Sequence, residues 1–554
     1  MTGDESRDLP TTTLDLRLVP SAVAAWCASF AVTRLSPAVS WALAGACVTV
    51  VMVVAGWRAA RDHRGSATSV SRATDARPAA AAAAALAAVA VAAVLAAGGA
   101  QLGGRSAGLL PVLAAEGVGG TVVGVVDGDP RILPPAWPGA PARVRVTLSA
   151  RQVEGAGRTG GAVGPVVVLG PPSWSTVPFG ARVEAHGRLT AAPGGREVAL
   201  LITTDDAVVV APAPPWHTVA ARVRAHVVEL AGDLPGDAGA LLPGVTVGDT
   251  THVPQDLVTA MRAAGLTHVT AVSGAHFSLV AALVLSVGAA LGIPRRGRAV
   301  SAVGSTLALV VLVHPAPSVL RAALMGSVAA VGLVVGRPSR APAALALTVV
   351  LLLVADPWLG AELGFVLSVL ATAGLVLLGV PLAERWSSRI GRPLATALAM
   401  PVAAQVVCAP VVLLATPTVA PLAVPANLLV APAVAPATVL GLAAGLMSAV
   451  WPVGAHALAW CAGAACWWIG AVARVTAGAP LAQVAWAGGP LGIVLLATCG
   501  LCVVRLLLRA PARAPASYEG SPAVLSSPPG RSRATATGEG PYGRQSALPD
   551  RLCR

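Results

Sequence analysis

The sequence predicts a polytopic α-helical membrane protein of about 11–12 spans, at roughly 20 apolar residues a span, with a small β-domain inserted between them. Three observations support this fold class. Of the 554 residues, 55% are apolar and only 11% are charged, whereas about a quarter are charged in ordinary soluble domains. Residues 393–473 contain no Asp, Glu, Lys or Arg, a stretch too long for two spans. Residues 115–212 instead alternate β-branched with polar residues and carry Gly and Pro turn signals.

The N-terminal part predicts a short cytoplasmic segment and three spans. Residues 1–19 hold four acidic residues and two arginines, unlike the basic start of a signal peptide, and are expected to stay in the cytoplasm. Within residues 20–101, apolar runs near 20–34, 38–56 and 79–101 are candidate spans. The loop between the second and third runs is rich in arginine, which is typical of cytoplasmic loops. The segment that follows the third span is therefore predicted to lie outside the cell.

That segment, residues 115–212, is predicted to form an extracytoplasmic β-barrel of the OB-like kind, because it contains five or six short strand patterns. Such barrels often bind single-stranded nucleic acid through basic grooves and stacked aromatic rings. Here eight arginines are matched by eight acidic residues, and the aromatic residues are Trp137, Trp174 and Phe179. The composition therefore favours a structural or partner-docking role over direct DNA binding, which stays open.

Residues 216–232 predict an amphipathic helix that lies on the outer leaflet. Its apolar residues fall on one helical face and its charged residues on the other, the pattern of an interfacial helix. The predicted apolar face comprises Trp216, Val219, Ala220, Val223, Val227 and Leu230.

Residues 240–508 hold the remaining candidate spans, and residues 511–554 are predicted to be a disordered cytoplasmic tail because they lack an apolar pattern. Most arginines between these spans recur on one side, which the positive-inside rule assigns to the cytoplasm. Arg474 is the exception, because it falls outside this pattern.

An unusual polar segment opens the first of these spans. Residues 265–284 read GLTHVTAVSGAHFSLVAALV, and His268, Ser273, Gly274 and His276 precede or enter a solidly apolar run. Polar side chains at membrane depth are costly and usually face the interior of a helix bundle or water. The segment is therefore a candidate functional site.

Two plainer explanations apply to parts of this segment. Thr270, Gly274 and Ser278 recur every four residues, the small-xxx-small spacing that lets membrane helices pack closely. Ser273 and His276 share a helical face, but the sequence around them offers no third orienting group, no oxyanion donors and no nucleophile elbow. Packing is the favoured explanation for Gly274, and hydrolytic chemistry is not expected.

The segment resembles the signature helix of the ComEC-type competence proteins, inner-membrane channels through which naturally transformable bacteria import one DNA strand. The resemblance implies that residues 240–508 form a competence-type transmembrane channel domain. Further elements of the resemblance follow in order: GD at 248–249, PSVLRAALMG at 317–326, DPW at 356–358, ELGFVLS at 362–368, Gln405 before VVCAPVVL, and ANLLVAP at 426–432.

The resemblance directs attention to other polar residues. Arg321, close to the start of a span, would place a fixed cation and a helix N-terminus near the outer mouth, both favourable to phosphate; the alternative is snorkelling to the headgroups. Glu362 is expected to pair with Arg321, and five prolines within 417–436 predict broken half-helices around Asn427. The candidate channel or DNA path comprises His268, Ser273, Gly274, His276, Arg321, Glu362, Gln405 and Asn427.

Many family members also carry a metallo-β-lactamase-like domain with an H-x-H-x-D-H motif. No histidine follows His456 in this sequence, so the motif is missing from it. We therefore expect no catalytic residue, no metal site and no cofactor, and a protein that is not an enzyme.

The function implied by the resemblance is a channel component that translocates single-stranded transforming DNA across the plasma membrane during natural competence. The implied partners are single-stranded DNA, the lipid bilayer and other competence machinery, namely a DNA receptor, a cytoplasmic ATP-driven translocase and a separate nuclease; a homo-oligomer is left open. The alternatives are a transporter of another polyanion or solute and a non-transporting membrane scaffold.

Overall fold

The structure is a computed structural model that describes residues 16–64, 76–135, 137–139, 141–192, 196–270, 272–335 and 341–508. The tail predicted for 511–554 and most of the predicted N-terminal segment lie outside the described residues. Among the described helices, eight are long and apolar enough to cross a membrane, and four shorter apolar helices accompany them. The predicted polytopic helical class is thereby confirmed.

Three apolar helices open the described chain: α1 (Val19–Val32), α2 (Pro37–Arg64) and α3 (Ala76–Ser106). They pack through small and β-branched side chains, with Val32 fully buried. A Cβ on Gly98 would lie only 2.5 Å from a methyl group of Val32, so the glycine permits the close approach of α1 and α3. The three helices overlap the three spans predicted there.

A short helix, α4 (Leu110–Glu116), leads from α3 into a seven-stranded sheet. The alternation in the sequence becomes alternation of burial over most of the strand Arg143–Gly155, because successive side chains of a strand point to opposite faces. The strands are β1 (Gly119–Val126), β2 (Arg131–Leu133), β3 (Arg143–Gly155), β4 (Arg158–Gly170), β5 (Arg182–Ala191), β6 (Ala199–Ile202) and β7 (Val208–Ala211).

Five of these strands pair in a closed cycle. The order is β1-β3-β4-β6-β5, and β5 pairs back to β1. The β4–β6 pair is parallel and the other pairs of the cycle are antiparallel. Trp174 is fully buried in the core of the sheet, where its Nε1 donates a hydrogen bond to the Asp205 carbonyl at 2.9 Å. Residues 119–211 are called the β-sheet unit below.

The segment predicted to be an interfacial helix forms α5 (Pro215–Gly232), which is followed by α6 (Gly236–Val247) and α7 (Gln255–Ala263). Val227 on the predicted apolar face is buried in a hydrophobic cluster that it shares with later helices, whereas Trp216 on the same face is exposed. Much of the apolar face of α5 therefore packs against protein. The position of α5 relative to the bilayer stays a prediction.

Ten α-helices follow within the described residues up to 508. A π-helical turn joins two of them, α12 and α13, into one apolar helix over Leu363–Ile390. Two short strands, β8 (Thr418–Val419) and β9 (Val484–Ala485), pair antiparallel between them. The helices are α8 (Gly274–Ala290), α9 (Arg295–Val313), α10 (Pro317–Val335), α11 (Ala341–Ala355), α12 (Leu363–Gly374), α13 (Val380–Ile390), α14 (Arg392–Val412), α15 (Ala423–Met447), α16 (Pro452–Gly478) and α17 (Gly489–Leu508).

The prediction of broken half-helices around Asn427 is wrong. Helix α15 runs without interruption through Pro432 and Pro436. A proline inside a helix removes one backbone hydrogen bond, but membrane helices tolerate it where neighbouring groups compensate. The chain leaves the helical conformation earlier, at residues 413–422, where β8 pairs with β9.

The contacts of Arg474 account for the exception in the arginine pattern. Its Nη1 donates to Asp256 at 2.8 Å and its Nη2 donates to Asp237 at 2.7 Å, so two carboxylates neutralise it. If each of the eight long and four shorter apolar helices crosses the membrane once, Arg474 lies on the same side as the β-sheet unit. The arginine-rich segment 385–392, where α13 ends and α14 begins, then lies on the opposite, cytoplasmic side.

This sidedness is open to a direct test by cysteine labelling. In a cysteine-free background, Thr159→Cys in the β-sheet unit should react with a membrane-impermeant thiol reagent in intact cells, and Ser388→Cys at the end of α13 should react only after permeabilisation. Both side chains are exposed, so burial does not limit either reaction. Reversed labelling would invert the topology and remove the β-sheet unit from the outside.

Candidate functional site

The polar segment of the sequence forms a turn between α7 and α8. Gly265 adopts a φ of +68°, a conformation that favours glycine. A Cβ at this position would also lie 2.6 Å from the Cβ of Ala423 at the start of α15. The turn therefore rests against α15 and brings Ser273 to the N-cap position of α8.

His276 closes the N-terminus of α8. Its Nδ1 accepts the backbone N–H of Ser273 at 3.0 Å and lies 3.1 Å from Ser273 Oγ. Because Nδ1 accepts a hydrogen bond, the ring is neutral and carries its proton on Nε2. The side chain is only 2% exposed, and Nε2 lies towards the Val245 backbone without the geometry of a hydrogen bond. A buried N–H donor therefore remains without a partner in the described part of the chain.

His268 lies in the turn before α8, in a single 3₁₀ turn over Thr267–Val269. Its side chain is exposed.

Arg321 is the buried cation of this region, with 7% of its surface exposed. Its Nε donates to Ser368 Oγ at 2.8 Å, and its Nη1 donates to Thr372 Oγ1 at 2.8 Å and contacts Met325 Sδ at 3.5 Å. All three partners are neutral, and no carboxylate pairs with Arg321 among the described residues. The guanidinium is thus oriented by α12 but is not neutralised by it.

Gly274, the first residue of α8, lies beside this guanidinium. A Cβ on Gly274 would be 3.4 Å from Arg321 Nη2 and 3.7 Å from the Cβ of Ala322. Nη2 donates no hydrogen bond to any described residue. An unpaired guanidinium edge and the positive end of a helix therefore meet at one point, and we call Arg321, Ser368, Thr372 and Gly274 the Arg321 site.

The expected pairing of Glu362 with Arg321 is wrong. The Glu362 carboxylate accepts a hydrogen bond from Arg196 Nη1, in the loop before β6, and Asp356 Oδ2 lies 3.4 Å from Arg196 Nη2. An arginine of the β-sheet unit is therefore the partner, because the fold brings the loop before β6 over the start of α12.

The remaining two candidate residues lie apart from the Arg321 site. Gln405 Nε2 donates to the carbonyl of Ala420 at 3.4 Å, and Asn427 Nδ2 donates to the carbonyl of Ala423, one turn earlier in α15, at 2.7 Å. Neither amide bonds to Arg321 or to its partners in the part of the chain that the structure describes. Both stabilise the region around the β8 loop.

Sequence reasoning missed Ser368 and Thr372 as the partners of Arg321. They are four residues apart on α12, so both hydroxyls fall on one helical face, and Thr372 Oγ1 also donates to the Ser368 carbonyl at 2.9 Å. Hydroxyl residues at this spacing in an apolar helix are a weak signal on their own. The signal becomes specific only when an arginine on a neighbouring helix needs acceptors.

The described residues hold no cluster suited to a metal ion. In those ranges no group of three or more His, Cys, Asp or Glu side chains is placed to bind one. The expectation that the chain is not an enzyme stays a prediction.

Comparison with known proteins places these residues in a family. The family model described as "Competence protein" matches residues 245–511. "ComE operon protein 3" of Bacillus subtilis (strain 168) is 33% identical over 156 residues, which are 28% of this chain and 20% of that relative. The match therefore spans about a fifth of the length of the curated relative. No solved structure matches the chain.

The region matched by the family model contains α8, α10 and α12, and hence the whole Arg321 site. The order of the sequence elements, the helical architecture and both comparisons agree. The resemblance to the ComEC-type competence proteins is thereby confirmed over residues 245–511.

Proposed function

We propose that the chain is a membrane channel component that translocates single-stranded transforming DNA across the plasma membrane. The observation that carries the proposal is Arg321, which is 7% exposed and has neutral partners only among the described residues. Taking a charge out of water costs several kcal/mol unless an opposite charge or a full set of hydrogen bonds compensates. A phosphate that passes Gly274 supplies the missing charge.

The arrangement suits a passing phosphate more than a permanently bound anion. Ser368 and Thr372 orient one edge of the guanidinium, and Nη2 is left to face the ligand together with the N-terminus of α8. One cation gives a weak, sequence-independent contact, since phosphates carry no base information. The path extends in this proposal along His268, Ser273 and His276, with Gln405 and Asn427 further along.

The closed cycle of five strands supports an OB-like barrel, and the arginine pattern favours a position for it outside the cell. Balanced charge over the β-sheet unit favours docking over DNA binding there. Transport would require partners of the kinds that the resemblance implies, namely a DNA receptor, a cytoplasmic translocase and a separate nuclease.

A clean deletion in a naturally competent host tests the function. The deletion strain should bind labelled linear DNA at its surface but fail to bring a DNase-resistant labelled strand into the cytoplasm, and the gene supplied in trans should restore import. Labelled polyphosphate of matched length, offered to the same strains, separates DNA transport from general polyanion transport. Unchanged DNA import in the deletion strain would reject the channel.

A further inference from the structure

Two of the charged contacts between the β-sheet unit and the described helices lie next to α10 and α12, and the first involves Arg196. Its guanidinium lies between Glu362 and Asp356 on the turn that connects α11 and α12. Arg105 at the end of α3 supports this contact, because its Nη1 donates to the Arg196 carbonyl at 2.8 Å. The guanidinium of Arg105 also lies over the ring of Trp358, 3.5 Å from its centre. The turn before α12 is thus held from the β-sheet unit and from α3.

The second contact is made by Asp129, in the loop between β1 and β2. Its Oδ1 lies 2.7 Å from His314 Nδ1, and its Oδ2 accepts from Arg224 Nη2 at 3.2 Å. The ring of His314 stacks on Phe179 of the β-sheet unit, with centroids 4.0 Å apart. Burial alone would raise the pKa of Asp129, but the adjacent His314 ring and the charges of Arg224 and Arg131 lower it below its ordinary value. Asp129 is therefore a carboxylate at neutral pH.

His314 itself has an unusual backbone. Its φ is +67° and its ψ is 151°, a region that is essentially reserved for glycine and that other residues adopt only when their surroundings hold them there. Asp129 and Phe179 of the β-sheet unit both contact its ring. The β-sheet unit therefore holds the turn between α9 and α10 in a strained conformation that would be unfavourable without these contacts.

The two contacts share one property. His314 lies in the turn directly before α10, which carries Arg321, and Glu362 directly precedes α12, which carries Ser368 and Thr372. The relative placement of α10 and α12 decides whether the guanidinium meets both hydroxyls. We propose that the β-sheet unit positions the Arg321 site, with Arg196 and Asp129 as its positioning residues.

A purely stabilising role predicts a different result for these residues. The Arg196 side chain is 41% exposed and that of Asp129 is 39% exposed, whereas the Asp129 partners Arg224 and His314 are 12% and 14% exposed. Exposed ion pairs contribute little to stability, and Asp129→Asn keeps an oxygen that can accept a hydrogen bond from Arg224. Their removal should leave the protein in the membrane at near-normal abundance. A change at the Arg321 site then reports geometry and not folding.

The test measures the effect of the Arg321 guanidinium on a neighbouring thiol and does not depend on transport. In a cysteine-free background, Ala275→Cys places an exposed thiol beside Gly274. The Arg321 guanidinium should attract an anionic thiol reagent, so the ratio of the reaction rates with an anionic and a neutral reagent measures how close the cation lies. Arg321→Ala calibrates the ratio without the cation. Arg196→Gln and Asp129→Asn should each lower the ratio severalfold towards that calibration. Arg145→Gln, whose ion pair with Glu197 lies within the β-sheet unit, is the matched control and should leave it unchanged.

DNA import by the same variants depends on the proposed function and is measured separately. Import should fall about tenfold in Arg196→Gln and Asp129→Asn, since small misplacements of a binding group are costly. A lowered ratio with normal import would reject the role of Arg321 in transport and keep the positioning. An unchanged ratio overturns the positioning, whatever happens to import.

A charge-reversed pair of substitutions tests the proposal if a single variant lowers the amount of protein in the membrane. If Arg196→Gln lowers abundance, Arg196→Glu combined with Glu362→Arg rebuilds the ion pair with opposite polarity. In the Ala275→Cys background, the combination should restore both abundance and the ratio of the two reaction rates. Restored abundance with a ratio that stays low would overturn the proposal.

Discussion

Replacing Arg321 by alanine is expected to lower import of labelled DNA roughly 10- to 100-fold, the factor that corresponds to a lost charge-assisted hydrogen bond of about 1.5–3 kcal/mol. The guanidinium is the group that would face each passing phosphate at Gly274. Abundance in the membrane should be normal or slightly raised, because the substitution removes a buried charge that no described carboxylate compensates. Import of DNase-resistant label, normalised to protein in the membrane, measures the effect.

Lysine at the same position should restore import only in part. The planar fork of arginine bonds Ser368 and Thr372 while it leaves Nη2 free, whereas a lysine ammonium is a single point charge that cannot hold this orientation. Arg505→Ala, at the exposed end of α17, removes a cation from a membrane helix outside the site and serves as the control.

Two other outcomes would change the assignment. Normal import by Arg321→Ala would show that Arg321 serves only in packing or in contact with lipid headgroups. If Arg321→Ala were lost from the membrane, the double variant Ser368→Ala and Thr372→Val, which keeps the cation but frees its orientation, should still be inserted and should import poorly. Normal import by an inserted double variant would reject the site.

The sequence predicted most elements of the fold because their signals are local. Uncharged apolar runs mark the membrane helices, and alternation marks strands such as β3. Proline misled the prediction for α15, because a single-residue rule cannot register the neighbours that allow Pro432 and Pro436 inside a helix. Local signals therefore predicted the positions of the elements better than they predicted whether a helix is continuous.

The candidate site was predictable only in part. His276 and Gly274 stand out because polar or small residues open an apolar helix, and Arg321 stands out as a cation inside one. Partners that lie far apart in the chain could not be predicted, as Glu362 illustrates: its partner, Arg196, is 166 residues away in another structural unit. Opposite charge suggested Arg321 as the partner of Glu362, but the tertiary fold places Arg196 beside Glu362 instead.

His276 gives the second large expected effect, and two substitutions separate its two roles. His276→Ala removes the acceptor for the Ser273 N–H together with the buried Nε2–H. His276→Gln creates the sequence S-x-x-Q, a capping box whose side chain reaches back to the N-cap N–H, so the helix cap is kept and the imidazole is lost. Comparing the two variants therefore distinguishes capping from a direct role along the path.

We expect both variants to import DNA about tenfold less than wild type, the factor implied by the loss of one hydrogen bond of about 1.4 kcal/mol. Only His276→Ala should also lower abundance in the membrane, since its Ser273 N–H loses its partner. The expected loss of import follows from the His276 Nε2–H, because a buried N–H without a partner is costly. Such a donor is retained at little cost if water or a phosphate accepts its hydrogen bond when the path is filled. His456→Gln removes an exposed imidazole that bonds Asp233 away from the site, and it should import normally. Wild-type import by His276→Gln would show that the imidazole acts as a helix cap alone, and the path would then have to be assigned without it.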